Sequence, residues 1–466
     1  MKFPFVGPTY QSWSLRADAQ RAINLYPEVI ESGSGKSEAA LYGTPGLHTW
    51  ATLPASPVRG LWAGEGRLFA AAGTGLYEVF SGGSYTVLGT IADDADHSPV
   101  QMFPNGNQLF VVSANKGYLA DGVTVTEVVP AVTGAFLDGY FIAQQVDSKQ
   151  FRISSLLDGT TWDPLDYATK EGYPDNIQAL LADHEELWLF GTTKSTEVWR
   201  NTGNPDFPFQ PEPGSFIPIG LRARWSAVSL AGQVYWIGCD EAGHSVAYRA
   251  QGYQPARVSN HAIEAVWQSY STVADAIAYP YIDAGHAFWV INFPSADATW
   301  VYDAKTGMWH ERAWWNGSVF SRHRARCHAF AFGKHLVGDY QNGKIYEMST
   351  SFYDDDGADI RRVRTAPHLA DEDERFFFHR FQLDMEAGMG LQGQPEPAVL
   401  LDWSDDGGKT FNTPKSAGSG TYQQYTKRVI WRRLGAGRDR VFRVTMTGKT
   451  KVALVNAYLD LTKGTS

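Results

Sequence analysis

Two cysteines in 466 residues, Cys239 and Cys327, stand far apart and in no metal-ligand spacing, which excludes a disulfide framework or a cysteine-rich metal site. Two inert buried thiols are the expectation. No apolar run nears the ~18 uninterrupted residues a membrane-spanning helix requires. The amino terminus, Met1-Lys2-Phe3-Pro4-Phe5-Val6-Gly7-Pro8, lacks the apolar stretch of a signal peptide. A chain without a membrane segment, made in a cytosol, is therefore expected. Charge is sparse too: charged residues are 19% of the chain and the net charge is −10, the wrong overall sign for a protein that coats nucleic acid. DNA contact, if any, must be local or indirect. Neither a Gly-x-Ser-x-Gly elbow nor a His-Glu-x-x-His helix occurs, which removes the commonest hydrolase and metalloprotease signatures.

What is present is aromatic and apolar mass. Hydrophobic residues make up 43% of the chain and aromatics 14%, including 16 Trp, enough for a large core and incompatible with disorder. The 46 Gly and 23 Pro recur every few tens of residues, the punctuation of many short strands. At ~150 residues per domain the length fits about three domains, or one large β architecture with an appendage.

One pattern returns along the chain: a Gly-bounded turn, a strand rich in aromatic and β-branched residues, a polar turn and a second strand. It begins at Gly66-Arg67-Leu68-Phe69-Ala70, Gln108-Leu109-Phe110-Val111-Val112, Gly139-Tyr140-Phe141-Ile142-Ala143 and Glu186-Leu187-Trp188-Leu189-Phe190-Gly191. It recurs at Gln233-Val234-Tyr235-Trp236-Ile237, Ala287-Phe288-Trp289-Val290-Ile291 and His335-Leu336-Val337-Gly338. The spacing, mostly ~40 to 50 residues, is the period of a four-stranded propeller blade. Seven signals predict an all-β chain with a six- or seven-bladed β-propeller, since blades stacked radially bury faces that a lone sheet leaves wet. After Asp354-Asp355-Asp356-Gly357 the pattern changes, and strands around 376–384, 398–403, 425–431, 441–447 and 452–461 predict a C-terminal antiparallel β-sandwich. The expected divisions are 1–57, packing on or closing the propeller, 58–357 for the propeller, and 358–466 for the sandwich. One helix is expected from His261 to about Ala274, capped by Ser259 or Asn260, with Ile263, Val266, Trp267 and Tyr270 on one face.

The motifs that might carry chemistry read as structure. Gly35-Lys36-Ser37, Gly408-Lys409-Thr410 and Gly448-Lys449-Thr450 have Ile30, Trp403 and Arg443 where a phosphate loop needs its first glycine. They are turns. Gly388-Met389-Gly390-Leu391-Gln392-Gly393 matches the dinucleotide fingerprint by letters alone, because Gln394-Pro395-Glu396-Pro397 follows where a helix must start. Ser404-Asp405-Asp406-Gly407-Gly408-Lys409-Thr410-Phe411 fits the Asp-box hairpin, and Ser155 to Trp162 is a degenerate relative. His323, Cys327, His328 and His335 are the densest set of metal-type ligands, but Arg322, Arg324 and Arg326 stand among them and oppose a cation. No catalytic residue, metal ligand or cofactor site is assigned. The strongest basic concentration is Lys427, Arg428, Trp431, Arg432 and Arg433 with Arg438 and Arg440, a candidate interface for DNA phosphates or an acidic neighbour, or else a device that keeps a sheet edge soluble.

Several stretches together resemble one family, the tail accessory factors (packaged-DNA stabilisation proteins, tail hub or nozzle) of short-tailed bacteriophages. They are Ala17-Asp18-Ala19-Gln20-Arg21, Asn24-Leu25-Tyr26-Pro27-Glu28 and Thr44-Pro45-Gly46-Leu47, then Thr160 to Ala168, Ser195-Thr196-Glu197-Val198-Trp199 and Asn201-Thr202-Gly203. Tyr248-Arg249-Ala250, Arg257 to Glu264 and Lys427 to Trp431 continue the likeness, in order, over nearly the whole chain. The resemblance implies a virion tail protein without catalytic activity, assembled in the host bacterial cytoplasm. It implies a ring of six copies below the portal and adaptor that extends the DNA channel and retains the packaged double-stranded DNA without reading its sequence. A tail needle or plug and tailspikes or fibres are the further partners it implies. The alternative reading is a propeller that binds or degrades a receptor glycan.

Overall fold

In the computed structural model, which describes residues 1–32 and 35–464, each of the seven sequence signals is the second strand of a four-stranded antiparallel sheet. Blade 1 comprises Val58–Gly64, Arg67–Ala72, Gly75–Val79 and Tyr85–Thr90. Blade 2 comprises Gln101–Pro104, Leu109–Ser113, Lys116–Ala120 and Val125–Pro130, and blade 3 Gly134–Leu137, Tyr140–Gln144, Gln150–Ile153 and Tyr167–Thr169. Blade 4 comprises Ile177–Asp183, Glu186–Gly191, Thr196–Asn201 and Phe209–Pro211, and blade 5 Val228–Leu230, Gln233–Cys239, Ser245–Gln251 and Gln254–Arg257. Blade 6 is Ile277–Asp283, His286–Phe293, Ala298–Asp303 and Met308–Trp315. Blade 7 takes Ala325–Ala331, Lys334–Asp339 and Lys344–Ser349 from late in the chain and its outer strand, Gly46–Thr52, from the beginning. Pairing the two ends in one blade ties the ring shut. The alternatives of six or seven blades therefore resolve at seven.

The second strands are dominated by apolar residues because both faces of a blade are covered by neighbours. All eight residues of His286–Phe293 are buried. Blades also approach through backbone: a Cβ on Gly60 in the first strand of blade 1 would collide with the Val100 carbonyl beside blade 2, so only glycine fits there. The helix runs His261–Gln268, six residues shorter than expected. Asn260 caps it by accepting from the Ile263 N–H at 3.0 Å. Ser269 ends it, its N–H and hydroxyl both turned back on the Val266 carbonyl. Ile263 and Trp267 are buried between blades 5 and 6, and Val266 and Tyr270 pack partly buried beside them.

The sandwich has two sheets. One runs Leu25–Val29, Ala39–Gly43, Ala453–Lys463, Phe376–Met385, Val429–Arg432, and the other Ala19–Ile23, Arg361–Ala370, Asp439–Thr447, Ala398–Ser404, Lys415–Gly418. Phe381, Phe442, Leu401, Leu454 and Trp431 fill the space between them. The expected strand from 425 begins only at Val429, because residues 421–428 form an exposed turn region. Five strands come from the first 43 residues, Lys2–Phe3 and Tyr10–Gln11 among them, so most of the amino-terminal segment builds the sandwich while its end completes blade 7. Ala19–Ile23 pairs with the outer strand of blade 6 at Ile23 and Glu311, making that blade continuous with a sandwich sheet.

Candidate functional site

The basic concentration lies at the edge of the first sandwich sheet. Val429–Arg432 is a four-residue edge strand paired only to Phe376–Met385, with Arg432 opposite Arg380. Strand alternation decides which of these residues face outward. Trp431 is buried, its indole donating to the Lys415 carbonyl at 2.9 Å. Arg440 is also buried, clamped by Asp405 at 2.6 and 2.8 Å and lying over the Phe378 ring at 4.2 Å. These two candidates hold the sandwich core together and present no surface. Lys427, Arg428, Arg432, Arg433 and Arg438 are exposed. Lys427 pairs with Glu396 at 3.3 Å and Arg438 donates to the Asp373 carbonyl. Among the described residues, the side chains of Arg428, Arg432 and Arg433 have neither ion pair nor hydrogen bond. Two unpaired guanidinium groups adjacent in sequence, with a third four positions earlier, on a short strand edge are suited to an anionic surface.

Both Asp-turn motifs close on themselves. Asp406 accepts from Ser404 Oγ at 2.6 Å, Thr410 Oγ1 at 2.6 Å and the N–H groups of Lys409 and Thr410, which holds its carboxyl well below the usual carboxylate range. Phe411 is half-buried and lies under Arg443 at 3.7 Å. The degenerate motif folds alike, with Asp158 accepting from the Thr160 N–H and hydroxyl and from the Thr161 hydroxyl. A carboxylate so engaged and so acidic cannot serve as a general acid. The three Gly-Lys-Ser/Thr tripeptides and the Gly388 to Gly393 stretch lie in turns and loops.

His328 and His335 sit on adjacent strands of blade 7 with ring nitrogens 3.0 Å apart, while His323 is buried elsewhere in the blade region. Among the described residues no three His, Cys, Asp or Glu side chains form a metal-type group. Burial pushes the Cys327 thiol up to about 12 and raises that of Cys239, so neither is an activated nucleophile. Among the described residues no helix is long and apolar enough to cross a membrane.

A seam joins propeller and sandwich, and its polar anchors escaped sequence reading. Arg364 is fully buried and donates to the carbonyls of Phe5 at 2.7 Å and Pro8 at 2.9 Å and to Gln20 Oε1 at 2.6 Å, pinning the amino terminus to the second sheet. Burial lowers its guanidinium to about 9. A cleft of about 710 Å³ opens along the seam between Tyr26, Tyr42, Tyr353 and Tyr425, flanked by the Lys36–Asp384 pair at 2.5 Å and Lys451–Glu386 at 2.9 Å. The nearest sequence cue was the Arg361-Arg362-Val363-Arg364 run, whose burial depends on the amino-terminal strands laid over it.

His286 in blade 6 bridges Asp303, 2.7 Å away in its own blade, and Glu28 in the first sandwich sheet. The bond to Asp303 and then that to Glu28 outweigh burial and raise the imidazole to about 8. That value lies above the ~6.5 of an unfolded histidine. The clamp is therefore complete below pH 6.5 and is lost as pH rises through about 8. In denaturant titrations, stability is expected to fall between pH 6.5 and 9 in the native chain, with a shallower fall in Glu28→Gln.

A closed propeller fused to a sandwich, with its acidic turns self-satisfied and, among the described residues, unpaired cations on an exposed sheet edge, defines an all-β propeller–sandwich protein. A family model described as bacteriophage P22 Gp10, beta-propeller, matches residues 9–353, and one described as bacteriophage P22 Gp10, beta-sandwich, matches residues 361–462. The chain belongs to this family, the tail nozzle and DNA-stabilisation proteins of short-tailed phages, and is a phage tail structural protein. No curated protein matches it. Among solved structures it is similar to the designed Ika8 protein (TM-score 0.39, 11% identity, covering 65% of this chain and 99% of that one). It is also similar to the WD40 beta propeller domain of Doa1 (TM-score 0.41, 10% identity, 66% and 97%) and the N-terminal domain of Nup159 (TM-score 0.39, 11% identity, 71% and 98%).

Proposed function

We propose that this chain forms a ring, six copies around, below the portal and adaptor of a short-tailed phage, extends the DNA channel and retains the packaged genome. The match of one family to both the propeller and the sandwich carries this reading. The ring offers attachment surfaces for a needle or plug and for tailspikes or fibres, and the particle is assembled in the host cytoplasm. Residues 58–357 together with Gly46–Thr52 act as the propeller unit, and the segment from 358 onward together with the strands of the first 43 residues acts as the sandwich unit. The net charge of −10 supports a channel that repels the DNA backbone and lets it slide. The exposed Lys427, Arg428, Arg432, Arg433 and Arg438 then face an acidic protein neighbour.

The test is DNA retention in particles lacking this protein, with portal and adaptor intact, before and after adding back the purified chain. Restored retention together with a new ring of density below the adaptor is the expected outcome. Particles that hold their DNA without it but fail to bind or cleave host glycan would overturn the reading. The combined change Arg428→Glu, Arg432→Glu and Arg433→Glu is expected to abolish add-back while leaving unfolding within about 0.5 kcal/mol of the native chain, since all three side chains are exposed and unpaired. Normal add-back by this variant would remove the edge from the assembly surface.

A further inference from the structure

A cavity of about 200 Å³, partly open to solvent, lies at the centre of the propeller, lined by the first strands or strand approaches of blades 1, 2, 4, 5, 6 and 7. Three arginines from three different blade regions line it: Arg59 in blade 1, Arg224 before blade 5 and Arg326 in blade 7. Arg59 is saturated, meeting Asp93 at 3.1 Å and donating to the carbonyls of Ser98, Gly73 and Ala92 and to Ser113 Oγ. The other two are not. Arg326 is 95% buried, on a relative exposure of 5%; it donates one Nη to the His97 carbonyl and leaves Nε without a partner. Arg224 donates Nε to the Gln178 carbonyl at 3.1 Å, and among the described residues its two Nη groups meet no acceptor. Neither has an ion pair within 4.0 Å among the described residues. Tyr279, whose buried hydroxyl also lacks a partner, lines the same cavity.

A guanidinium shut away from water with unused donors is costly unless an anion meets it. Arg326 is such a group, and the half-buried Arg224 brings a second guanidinium to the same cavity; with Asp93 already committed to Arg59, they leave an excess of positive charge facing the cavity of an acidic protein. We infer that the axial cavity is a binding site for a small free oxyanion of the phosphate class, held by Arg326 and Arg224. A tetrahedral oxyanion suits the site better than a carboxylate because it offers oxygens in every direction to forks arriving from different blades. The cavity has room for such an anion with its waters. The anion would act as an axial rivet, tying blades 5 and 7 to one centre, and this role is independent of the ring proposed above.

The experiment uses the full chain in phosphate-free buffer with chloride holding ionic strength constant. Titration with inorganic phosphate is expected to show one site per chain by calorimetry and to raise the unfolding temperature by ~3 °C or more near saturation. Arg326→Met is expected to weaken binding at least tenfold and to unfold at a higher temperature than the native chain when phosphate is absent, because the uncompensated charge is gone. Arg224→Gln, at a half-buried position, gives an independent reading should Arg326→Met fail to fold, and is also expected to weaken binding. No heat and no thermal shift with phosphate in the native chain would overturn the inference. So would binding unchanged in both variants, or competition by a duplex oligonucleotide, which would make the ligand a DNA backbone instead of a free anion.

Discussion

Lys170→Met is expected to lower the unfolding free energy by about 3–5 kcal/mol, the usual cost of removing one partner from a buried ion pair. Lys170 follows the outer strand of blade 3, and its ammonium is fully buried, 2.5 Å from Asp175 and 2.6 Å from Ser195 Oγ of blade 4. Asp175 is almost as deep and also accepts from Ser195 Oγ at 2.6 Å and from the N–H and hydroxyl of Thr193. Burial acts to raise its carboxyl, but the bonds from Lys170, Ser195 and Thr193 outweigh burial and hold it below the usual range. Removing the ammonium leaves a buried carboxylate without its counter-charge between two blades. Adding Asp175→Asn neutralises that charge while keeping an acceptor for Thr193, so the double variant is expected to regain at least half of the loss. Urea unfolding of the three proteins checks this; equal stability of native and Lys170→Met chains would mean that blades 3 and 4 are held by apolar packing alone.

The second large effect is acid lability from histidines buried in neutral form. Burial, reinforced by Arg312 and Arg324, pulls His323 down to about 3. Burial and the neighbouring His335 do the same to His328, and burial with Arg312 and His286 holds His310 well below its ordinary value. An unfolded chain takes up protons at these positions near pH 6.5; folded His323 and His328 refuse them until about pH 3, and folded His310 stays neutral well below its ordinary value, so stability present above pH 6.5 is lost as pH falls. Each site contributes a slope of about 1.4 kcal/mol per pH unit across that window. Asp355 opposes them: burial raises it to about 7, so its folded form keeps a proton and gains stability as pH falls from 7 toward 3.8. Three histidines against one aspartate leave a net loss on acidification. Unfolding measured between pH 6 and 4 is expected to show a steep decline, and His323→Gln to flatten it by about 1.4 kcal/mol per pH unit. An unchanged slope in that variant would show that His323 titrates normally in the folded protein.

Acid lability and the His286 clamp act on opposite sides of neutrality. One weakens the propeller below pH 6, and the other weakens its junction with the sandwich above pH 8. Both groups sit in or beside blades 6 and 7, where the ring closes and the sandwich is attached.

The repeated architecture was legible from the residues alone, because a blade is a local hairpin pattern. Gly-bounded apolar strands such as Gln233–Cys239 and His286–Phe293 carry their own period, and residues adjacent in sequence are paired in space. Also legible were the family, the Asp-box turn at Ser404 to Phe411 and the capped helix start at Asn260, all set by contacts within a few residues. Tertiary structure alone decided where partners lie hundreds of residues apart. Gly46–Thr52 completes blade 7 against Lys344–Ser349, and Ala19–Ile23 and Leu25–Val29 enter sandwich sheets. Nothing in those short segments encodes the distant strand they meet. The candidate interface divided for the same reason: strand alternation and Asp405 drew Trp431 and Arg440 inward, and left Arg428, Arg432 and Arg433 to solvent. The axial arginines were the least legible, since Arg59, Arg224 and Arg326 become neighbours of one cavity only when seven blades close a circle. A charge's meaning depends on what surrounds it, and that is fixed by closure of the ring.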